Sequence, residues 1–329
     1  MSRLEKLLAA LAVLPFGLGV AAGPDTPPDD EVVFSFADPE IIESSGLAVE
    51  DGLFATVNDS GDTGRVFTVD PDDGDTVAVT SWDGEPDDVE ALALVPDGDV
   101  LVGDIGDNAA VRDAIELLRV PFGADSAVVP TTYELVYPDG AHDAETLLVH
   151  PRTGRAFVVA KEFIGRLYAA PSELDRDGPN ELELIDEDVL PVATDGAFFP
   201  DGKHVVLRGY GDAAFYRWPS LEPVGEIELP RQAQGEGIAV DSEGDVYVSS
   251  EGQYSEVLRL KLPRPLRAEL EGTTSDRPDD SGAAPGASGT EPDRDDVDQW
   301  PDFLPPVWVL GGAALLIGLV VLVRALRPR

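Results

Sequence analysis

The sequence contains no cysteine. This absence excludes disulfide bonds, thiolate metal centres, a cysteine nucleophile and a lipid anchor on cysteine. Histidine is scarce as well, and the spacing of His142, His150 and His204 matches no metal-binding motif. The chain also has no phosphate-binding loop, no G-x-S-x-G nucleophile motif and no HExxH zinc motif. The common signatures of hydrolases and nucleotide-binding proteins are therefore missing.

Basic residues are few. The chain has 23 lysines and arginines, only four of them lysines, against 64 acidic residues, and its formal net charge is −41. A field of this sign repels phosphate backbones and attracts cations, so we expect no nucleic-acid partner. A low lysine and high aspartate content is also typical of proteins made for salty surroundings. The charge excess alone therefore does not identify a binding site.

The two ends of the chain predict secretion and membrane attachment. Arg3 and Lys6 precede an apolar run that ends in small residues, which predicts a signal peptide over residues 1–22, with an uncleaved anchor as the alternative. An uncharged stretch at 305–323 predicts a transmembrane helix, and the basic tail at 324–329 places its end in the cytoplasm. We therefore expect a single-pass protein of the cell membrane whose folded part is extracellular.

The region before this helix is rich in Asp, Pro, Gly and Ser and has almost no large apolar side chain. Burial cannot compensate for the entropy of ordering such a segment, so residues 264–304 are predicted to form a disordered acidic stalk. The folded domain is predicted to span residues 31–263.

Five segments of this domain share one pattern: an acid or serine, a small residue, and three apolar runs separated by Asp- and Gly-rich turns. They cover residues 44–70, 89–120, 144–170, 194–218 and 235–260. Short alternating stretches such as TVAVTSW and TTYELVY follow the third run and supply a fourth strand. Four antiparallel strands per repeat predict an all-β fold, a β-propeller. A β-sandwich is the alternative fold.

The strand count favours five blades. The fifth unit has only three strands, and a spare strand, VVFSF at residues 32–36, precedes the first unit. Pairing the two would close the ring and cover two strand edges. Six blades remain the alternative if the insertions at residues 108–114 and 170–179 contain further strands.

The repeat predicts a site, because the first strand of each blade lines the central channel. The equivalent first-strand positions are Ser45, Glu90, Glu145, Asp195 and Glu236. Four carboxyl groups at one channel mouth would raise one another's pKa values unless a positive charge compensates them.

The loops after the second strands reach the same face and add oxygen-bearing side chains. Calcium binds six to eight oxygens in a flexible geometry. The predicted metal ligands are Glu90, Asp104, Asp107, Asn108, Glu145, Asp195 and Glu236. The predicted ligand-binding residues are Asn58, Asp59, Lys161, Arg208 and Glu251. In the alternative, basic residues pair with these acids locally; the candidates are Arg65, Arg112, Lys161, Arg166 and Arg208.

Three stretches within residues 43–161 resemble a known group of proteins. ESSGLA…VNDSGD…VFTVDP, DVEALAL…GDIGDN and YPDGAHDAETLLVHPRTG are similar to secreted bacterial propellers, commonly actinobacterial, described as WD40-like or phytase-esterase-like. The resemblance implies a secreted propeller without a defined substrate. More distant calcium propellers of the lactonase and phytase types imply Glu90, Asn108 and Glu236 as calcium ligands. The scarcity of lysine departs from the phytase pattern.

Besides a purely structural docking module in a multiprotein envelope complex, two functions are consistent with these features. The first is a membrane-anchored extracellular propeller that binds a cation, calcium, and an extracellular ligand or envelope protein through its acidic face. The alternative is a calcium-dependent hydrolase of an ester or lactone, in which His142, three residues from Glu145, accepts a proton.

Overall fold

The computed structural model describes residues 30–59 and 61–272. The predicted signal peptide, transmembrane helix and basic tail, and nearly all of the predicted stalk, lie outside these residues. Within them, no helix is both long and apolar enough to cross a lipid bilayer.

The described residues form five sheets, which are the blades of a β-propeller. Blade 1 contains β2 (Ser44–Glu50), β3 (Leu53–Asn58), β4 (Arg65–Val69), β5 (Thr76–Trp82) and β9 (Ser126–Val128). Blade 2 contains β6 (Val89–Leu94), β7 (Asp99–Asp104), β8 (Ile115–Pro121), β10 (Thr131–Val136) and β14 (Asn180–Glu181). Blade 3 contains β11 (Ala144–Val149), β12 (Ala156–Ala160), β13 (Gly165–Ala169) and β15 (Glu183–Val189). Blade 4 contains β16 (Asp195–Phe198), β17 (His204–Arg208), β18 (Asp212–Arg217) and β19 (Pro223–Glu228).

Blade 5 closes the ring. It combines β20 (Gly235–Val240), β21 (Val246–Ser250) and β22 (Glu256–Arg259) with β1 (Glu31–Ser35) from the start of the domain. β1 pairs antiparallel with β22, so the spare strand fills the place predicted for it. The five-bladed count is confirmed, and the insertion before residue 180 adds only the short parallel edge strand β14.

The first strands of the blades surround the channel. Each of β2, β6, β11, β16 and β20 contacts the next, and β20 contacts β2. The close approach explains the small residue in the repeat, since a Cβ on Gly46 would lie 2.7 Å from the backbone nitrogen of Leu92 in the next blade. Inner strands such as β11 are buried along their whole length, whereas outer strands such as β15 alternate between exposed and partly buried residues.

The face that holds the starts of the inner strands is called the top face here, and the opposite one the bottom face. Near the bottom face the channel has a cavity of about 270 Å³, lined by residues of all five inner strands, most of them apolar, and by Glu50, Asp241 and Ser242.

One helix follows the last strand, α1 (Arg264–Leu270). Leu266 and Leu270, one helical turn apart, are buried in the apolar cluster between blades 4 and 5. The domain boundary predicted at Pro263 left this helix out, because a single apolar pair gives little sequence signal beside a long polar segment.

Candidate functional site: the acidic mouth of the channel

Four of the five inner strands begin with an irregular register. The pairing with the second strand shifts across Ser45 in β2, Glu90 in β6, Glu145 in β11 and Glu236 in β20, whereas β16 pairs regularly from Asp195 onward. A β-bulge bends a strand and re-aims the side chain of the extra residue. The bulges therefore give the side chains of the four bulged strands a different orientation from the side chain of Asp195.

A cluster of three carboxylates lies between blades 1 and 2. Asp59 follows β3, Asp88 precedes β6, and Glu90 occupies the bulge in β6. One oxygen from each lies within 4.8 Å of the other two, so the group could hold a metal ion. Glu90 is buried and accepts a hydrogen bond from the Ser45 hydroxyl at 3.1 Å. We call these three residues the carboxylate cluster.

The electrostatics of the cluster favour an added positive charge. Burial, together with the nearby Glu145, Asp59 and Asp88, raises the pKa of Glu90 to about 10. Burial and the charge of Asp59 also raise the pKa of Asp88. Without a compensating cation, Glu90 is therefore protonated at neutral pH.

Asp59 is the common neighbour of the acids at the mouth. Besides Asp88 and Glu90, it contributes to the raised pKa values of Glu236 and Glu251, in which burial is the largest cause. These residues come from blades 2 and 5, on either side of blade 1. The structure thus brings together Asp59, Glu90, Glu145, Glu236 and Glu251 of the predicted site residues.

The DIGDN segment at residues 104–108 contacts the carboxylate cluster and holds Asp88 in position. The Asp104 carboxylate accepts hydrogen bonds from the backbone amides of Asp87 and Asp88, at 2.8 and 2.9 Å, and from Arg112 at 2.8 Å. A Cβ on Gly106 would lie 2.5 Å from the Asp88 carboxylate. Asp104, predicted as a metal ligand, is therefore placed to position Asp88, and only glycine leaves room for that carboxylate.

The other two predicted ligands of this loop lie away from the cluster. The Asp107 carboxylate accepts hydrogen bonds from the amides of Val111 and Arg112, at 2.7 and 2.6 Å, and closes its own loop. The Asp107 amide donates to Asp143 at 2.9 Å, which joins the DIGDN and DAE segments. Asn108 is exposed.

Asn58 also has a structural environment. Its side-chain oxygen accepts hydrogen bonds from the amides of Ile42 and Glu43, at 3.0 and 3.1 Å. Its side-chain nitrogen donates to the Glu40 carbonyl and to Asp62, at 2.8 and 2.7 Å. All its hydrogen-bonding capacity is thus used to hold the segment that leads into β2.

On the blade 3 side, Lys161 donates to Glu145 and lies 5.3 Å from the centre of the Tyr210 ring. Burial and the charge of Glu236 raise the pKa of Glu145 to about 8, although Lys161 opposes this. Burial raises the pKa of Glu236 to about 7. The second carboxylate oxygens of Glu145 and Glu236 are buried and have no hydrogen-bond partner among the described residues.

Asp195 and Arg208 connect blades 4 and 5, and the Arg208 charge also acts on Glu236 at the mouth. The Asp195 carboxylate accepts hydrogen bonds from the amides of Gly196 and Ile238, at 2.7 and 2.8 Å. Arg208 is fully buried and donates to the carbonyls of Gly237 and Ser249, at 2.8 and 2.9 Å. Burial lowers the pKa of Arg208 to about 10.

Several basic residues do pair with acids locally, as the alternative predicted. Arg65 pairs with Asp62 and Glu40, Arg112 with Asp104, and Arg166 with Glu162; Lys161 pairs with Glu145. Glu145 lies at the start of the inner strand β11 and Asp104 ends β7, whereas the other acids in these pairs lie in loops. Asp88 and Glu90 are not among the acids in these pairs.

His142 is buried with both ring nitrogens engaged. Nδ1 lies 2.9 Å from Glu162, and Nε2 lies 3.1 Å from Asp139 and 3.0 Å from the Tyr168 hydroxyl. A histidine that accepts a proton from water needs a free nitrogen facing the reaction site. This geometry suits a structural role in blade 3.

Sequence reasoning missed Asp88 and the role of Gly106. A signal for Asp88 was present, because it stands two residues before Glu90 at the start of an inner strand. Residues i and i+2 of an extended strand point to the same side. No sequence feature marked Gly106 as the position that accommodates the Asp88 carboxylate.

Comparisons with known proteins add no functional assignment. No protein-family model and no curated protein matches the sequence. Among solved structures, a similar chain is a streptogramin B lyase structure, with 13% identity, a TM-score of 0.38, and coverage of 69% of this chain and 67% of that chain. The five-bladed architecture therefore rests on the strand pairing described above.

Proposed function

We propose that this chain is a membrane-anchored extracellular propeller that binds calcium at the mouth of its channel. The acidic face around the cation then holds an extracellular ligand or an envelope protein. The observation that carries the proposal is the carboxylate cluster, in which three acids from two blades approach within 4.8 Å. The composition of the two chain ends supports secretion and anchoring.

The donor chemistry of the cluster suits calcium. All three side chains are carboxylates, which are ligands for hard cations, whereas zinc favours nitrogen and sulfur. Calcium takes six to eight oxygens, more than three carboxylates supply if each gives one atom. The remaining positions are open to water or to an oxygen of a ligand.

The test is calcium-dependent stability of the full-length chain in detergent. A cation bound only by the folded state adds about 2.7 kcal/mol at a concentration of 100 times its Kd. We expect calcium to raise the Tm, and we expect Asp88→Asn/Glu90→Gln to abolish the rise.

The matched control is Asp72→Asn/Asp73→Asn, which removes two acids from the bottom-face turn between β4 and β5. This variant should keep the full calcium response. If chelator and calcium give the same melting curve for the unmodified chain, the proposed cation site is wrong. If both double variants lose the response equally, calcium acts through total charge and not through the cluster.

A further inference from the structure

The exposed apolar side chains are concentrated on the top face. Ten large apolar side chains are exposed among the described residues. Six of them lie in top-face loops: Ile42, Val111, Phe163, Ile164, Tyr210 and Tyr254. The other four, Val32, Val77, Val129 and Ile185, lie on outer strands or between two of them. We call the six top-face residues the apolar rim.

The rim residues lie in five top-face loops, on the same face as the acidic mouth. Phe163 is 95% exposed and stands two residues after Lys161, which pairs with Glu145. The Tyr210 ring lies over the Lys161 ammonium group. Exposed apolar groups clustered beside polar ones mark interaction sites on soluble domains, whereas scattered ones do not.

The backbone of this face is held in unusual conformations. Among the described residues, six other than glycine have a left-handed backbone, and four of these lie in top-face loops: Ala110, Val192, Gln234 and Tyr254. Tyr254, with φ of 62°, is bulky and also 56% exposed. Such conformations cost about 1–3 kcal/mol each and persist where the structure enforces them, commonly at functional sites. The loops therefore present these side chains at an energetic cost.

The negative charge of the mouth indicates which class of partner would bind there. Glu236 and Glu251 add to the carboxylate cluster, and the second oxygen of Glu236 has no partner among the described residues. A second copy of a chain with a net charge of −41 would be repelled. Lys161 and Arg208 offset part of this charge, and a neutral sugar would leave the remainder uncompensated. A lysine or arginine side chain would compensate it, and neighbouring apolar side chains would cover the rim.

We infer that the top face binds a polypeptide segment of a partner protein in which a lysine or arginine stands next to large apolar residues. The basic side chain enters the acidic mouth on the side of Glu236 and Glu251, and the apolar residues contact Phe163, Ile164 and Tyr254. This inference rests on the proposed function in one respect, namely that the top face is the ligand-binding face.

The probe is a library of random 12-residue peptides displayed on phage. It is selected on the full-length chain in detergent and counter-selected on the Phe163→Ser/Tyr254→Ser variant. The control variant is Val129→Ser, because Val129 is 96% exposed but lies between the outer strands β9 and β10, outside the loops that carry the rim. Enriched peptides are then synthesised and their Kd values measured with and without calcium.

We expect enriched peptides to pair Lys or Arg with a large apolar residue. They should bind the rim variant at least tenfold more weakly than the unmodified chain, bind Val129→Ser unchanged, and weaken with added salt. Acidic peptides, no enrichment, or equal binding to the rim variant would overturn the inference. Rim-dependent binding to neutral sugars on a glycan array, without peptide enrichment, would overturn it in favour of a glycan.

The calcium response separates this inference from the proposed function. The rim variant should retain the calcium-dependent rise in Tm, because it keeps Asp59, Asp88 and Glu90. A calcium response without peptide binding refutes only the inference. Peptide binding without a calcium response refutes only the cation site.

Discussion

Glu90 and Asp195 occupy equivalent positions in the repeat, and burial raises the pKa of both, but their hydrogen-bond and charged neighbours differ. Glu90 lies in a bulge and faces other carboxylates, and burial raises its pKa to about 10. Asp195 lies in a regular strand and is fully buried, with its oxygens bound by two backbone amides from blades 4 and 5. One acid is a candidate for binding a cation, and the other joins two blades.

The comparison shows that a repeat position does not by itself define a functional residue. A bulge is the structural difference between the two strands, because it lets an inner-strand side chain leave the regular pattern. The experiments below test this difference, from the largest expected change in free energy to the smallest.

The largest effect is expected for Asp195→Ala. The substitution leaves the buried amides of Gly196 and Ile238 without an acceptor. Each buried donor left without a partner costs about 1–3 kcal/mol of the free energy of unfolding, so we expect a loss of roughly 2–6 kcal/mol. Urea denaturation measures the loss. The comparison variant is Glu90→Gln, which in the absence of calcium should leave stability unchanged or higher; a loss as large as that of Asp195→Ala would contradict the distinction.

The next prediction concerns pH. Because the folded-state pKa values of Glu90, Glu145 and Glu236 are raised to about 10, 8 and 7, the folded chain binds more protons than the unfolded chain above pH 4.5. The free energy of unfolding without calcium should therefore fall as the pH rises from 5 to 9. One pKa unit corresponds to about 1.4 kcal/mol, so each of the three groups contributes a loss of at most that amount for each pH unit below its folded-state pKa.

Denaturation at pH 5, 7 and 9 in chelator tests this dependence. Glu90→Gln/Glu145→Gln removes two of the groups and should flatten the curve. Calcium should also flatten it, because cation binding favours the ionised carboxylates and releases protons. A double variant with the same slope as the unmodified chain would show that the mouth does not govern the pH dependence.

A smaller effect is expected for Gly106→Ala, which changes the surroundings of Glu90 and leaves those of Asp195 unchanged. The new methyl group would meet the Asp88 carboxylate at 2.5 Å and displace it from the cluster. We expect calcium affinity to fall about tenfold, or about 1.4 kcal/mol, by titration calorimetry. Gly103→Ala is the control, since its nearest contacts are flexible atoms of the Ile105 side chain at 3.3 Å. Equal affinities of the two variants would exclude the positioning role of the loop.

The smallest effect is expected for Ser45→Ala. It removes one hydrogen bond, of 3.1 Å, to the Glu90 carboxyl group. A single bond of this kind contributes about 0.5–1.5 kcal/mol to stability. We expect a Tm change of a few degrees at most. A larger loss, comparable to that of Asp195→Ala, would place Ser45 with the residues that join the blades.

The sequence was sufficient to predict the architecture because the repeat is periodic. The last unit has only three strands, and the strand at residues 32–36 has no unit of its own. The sequence therefore predicts that the two pair and close the ring, and the structure confirms this pairing. The edge strands β9 and β14 were not predicted. They are only three and two residues long and pair in parallel with a neighbouring blade, so no local pattern marks them.

The site could be predicted only as a region. The positions of Glu90, Glu145 and Glu236 follow from the repeat, and the structure places them at one mouth. The bulges cannot be predicted from the sequence, because an extra residue in a strand has no characteristic composition here. The role of Asp104 was also not predictable, because a carboxylate that binds backbone amides and one that binds a cation are the same residue type in the same glycine-rich loop.

The closure of blade 5 determines how force would act on the domain. Glu31 pairs with Arg259, so the first and last strands of the ring have their outer ends side by side. Tension between the two termini would separate β1 from β22 one hydrogen bond at a time, starting at that pair, instead of loading all the bonds at once. With no cysteine in the chain to lock this seam, its mechanical resistance depends on the strand pair and on the apolar contacts of Phe34 and Phe36 behind it.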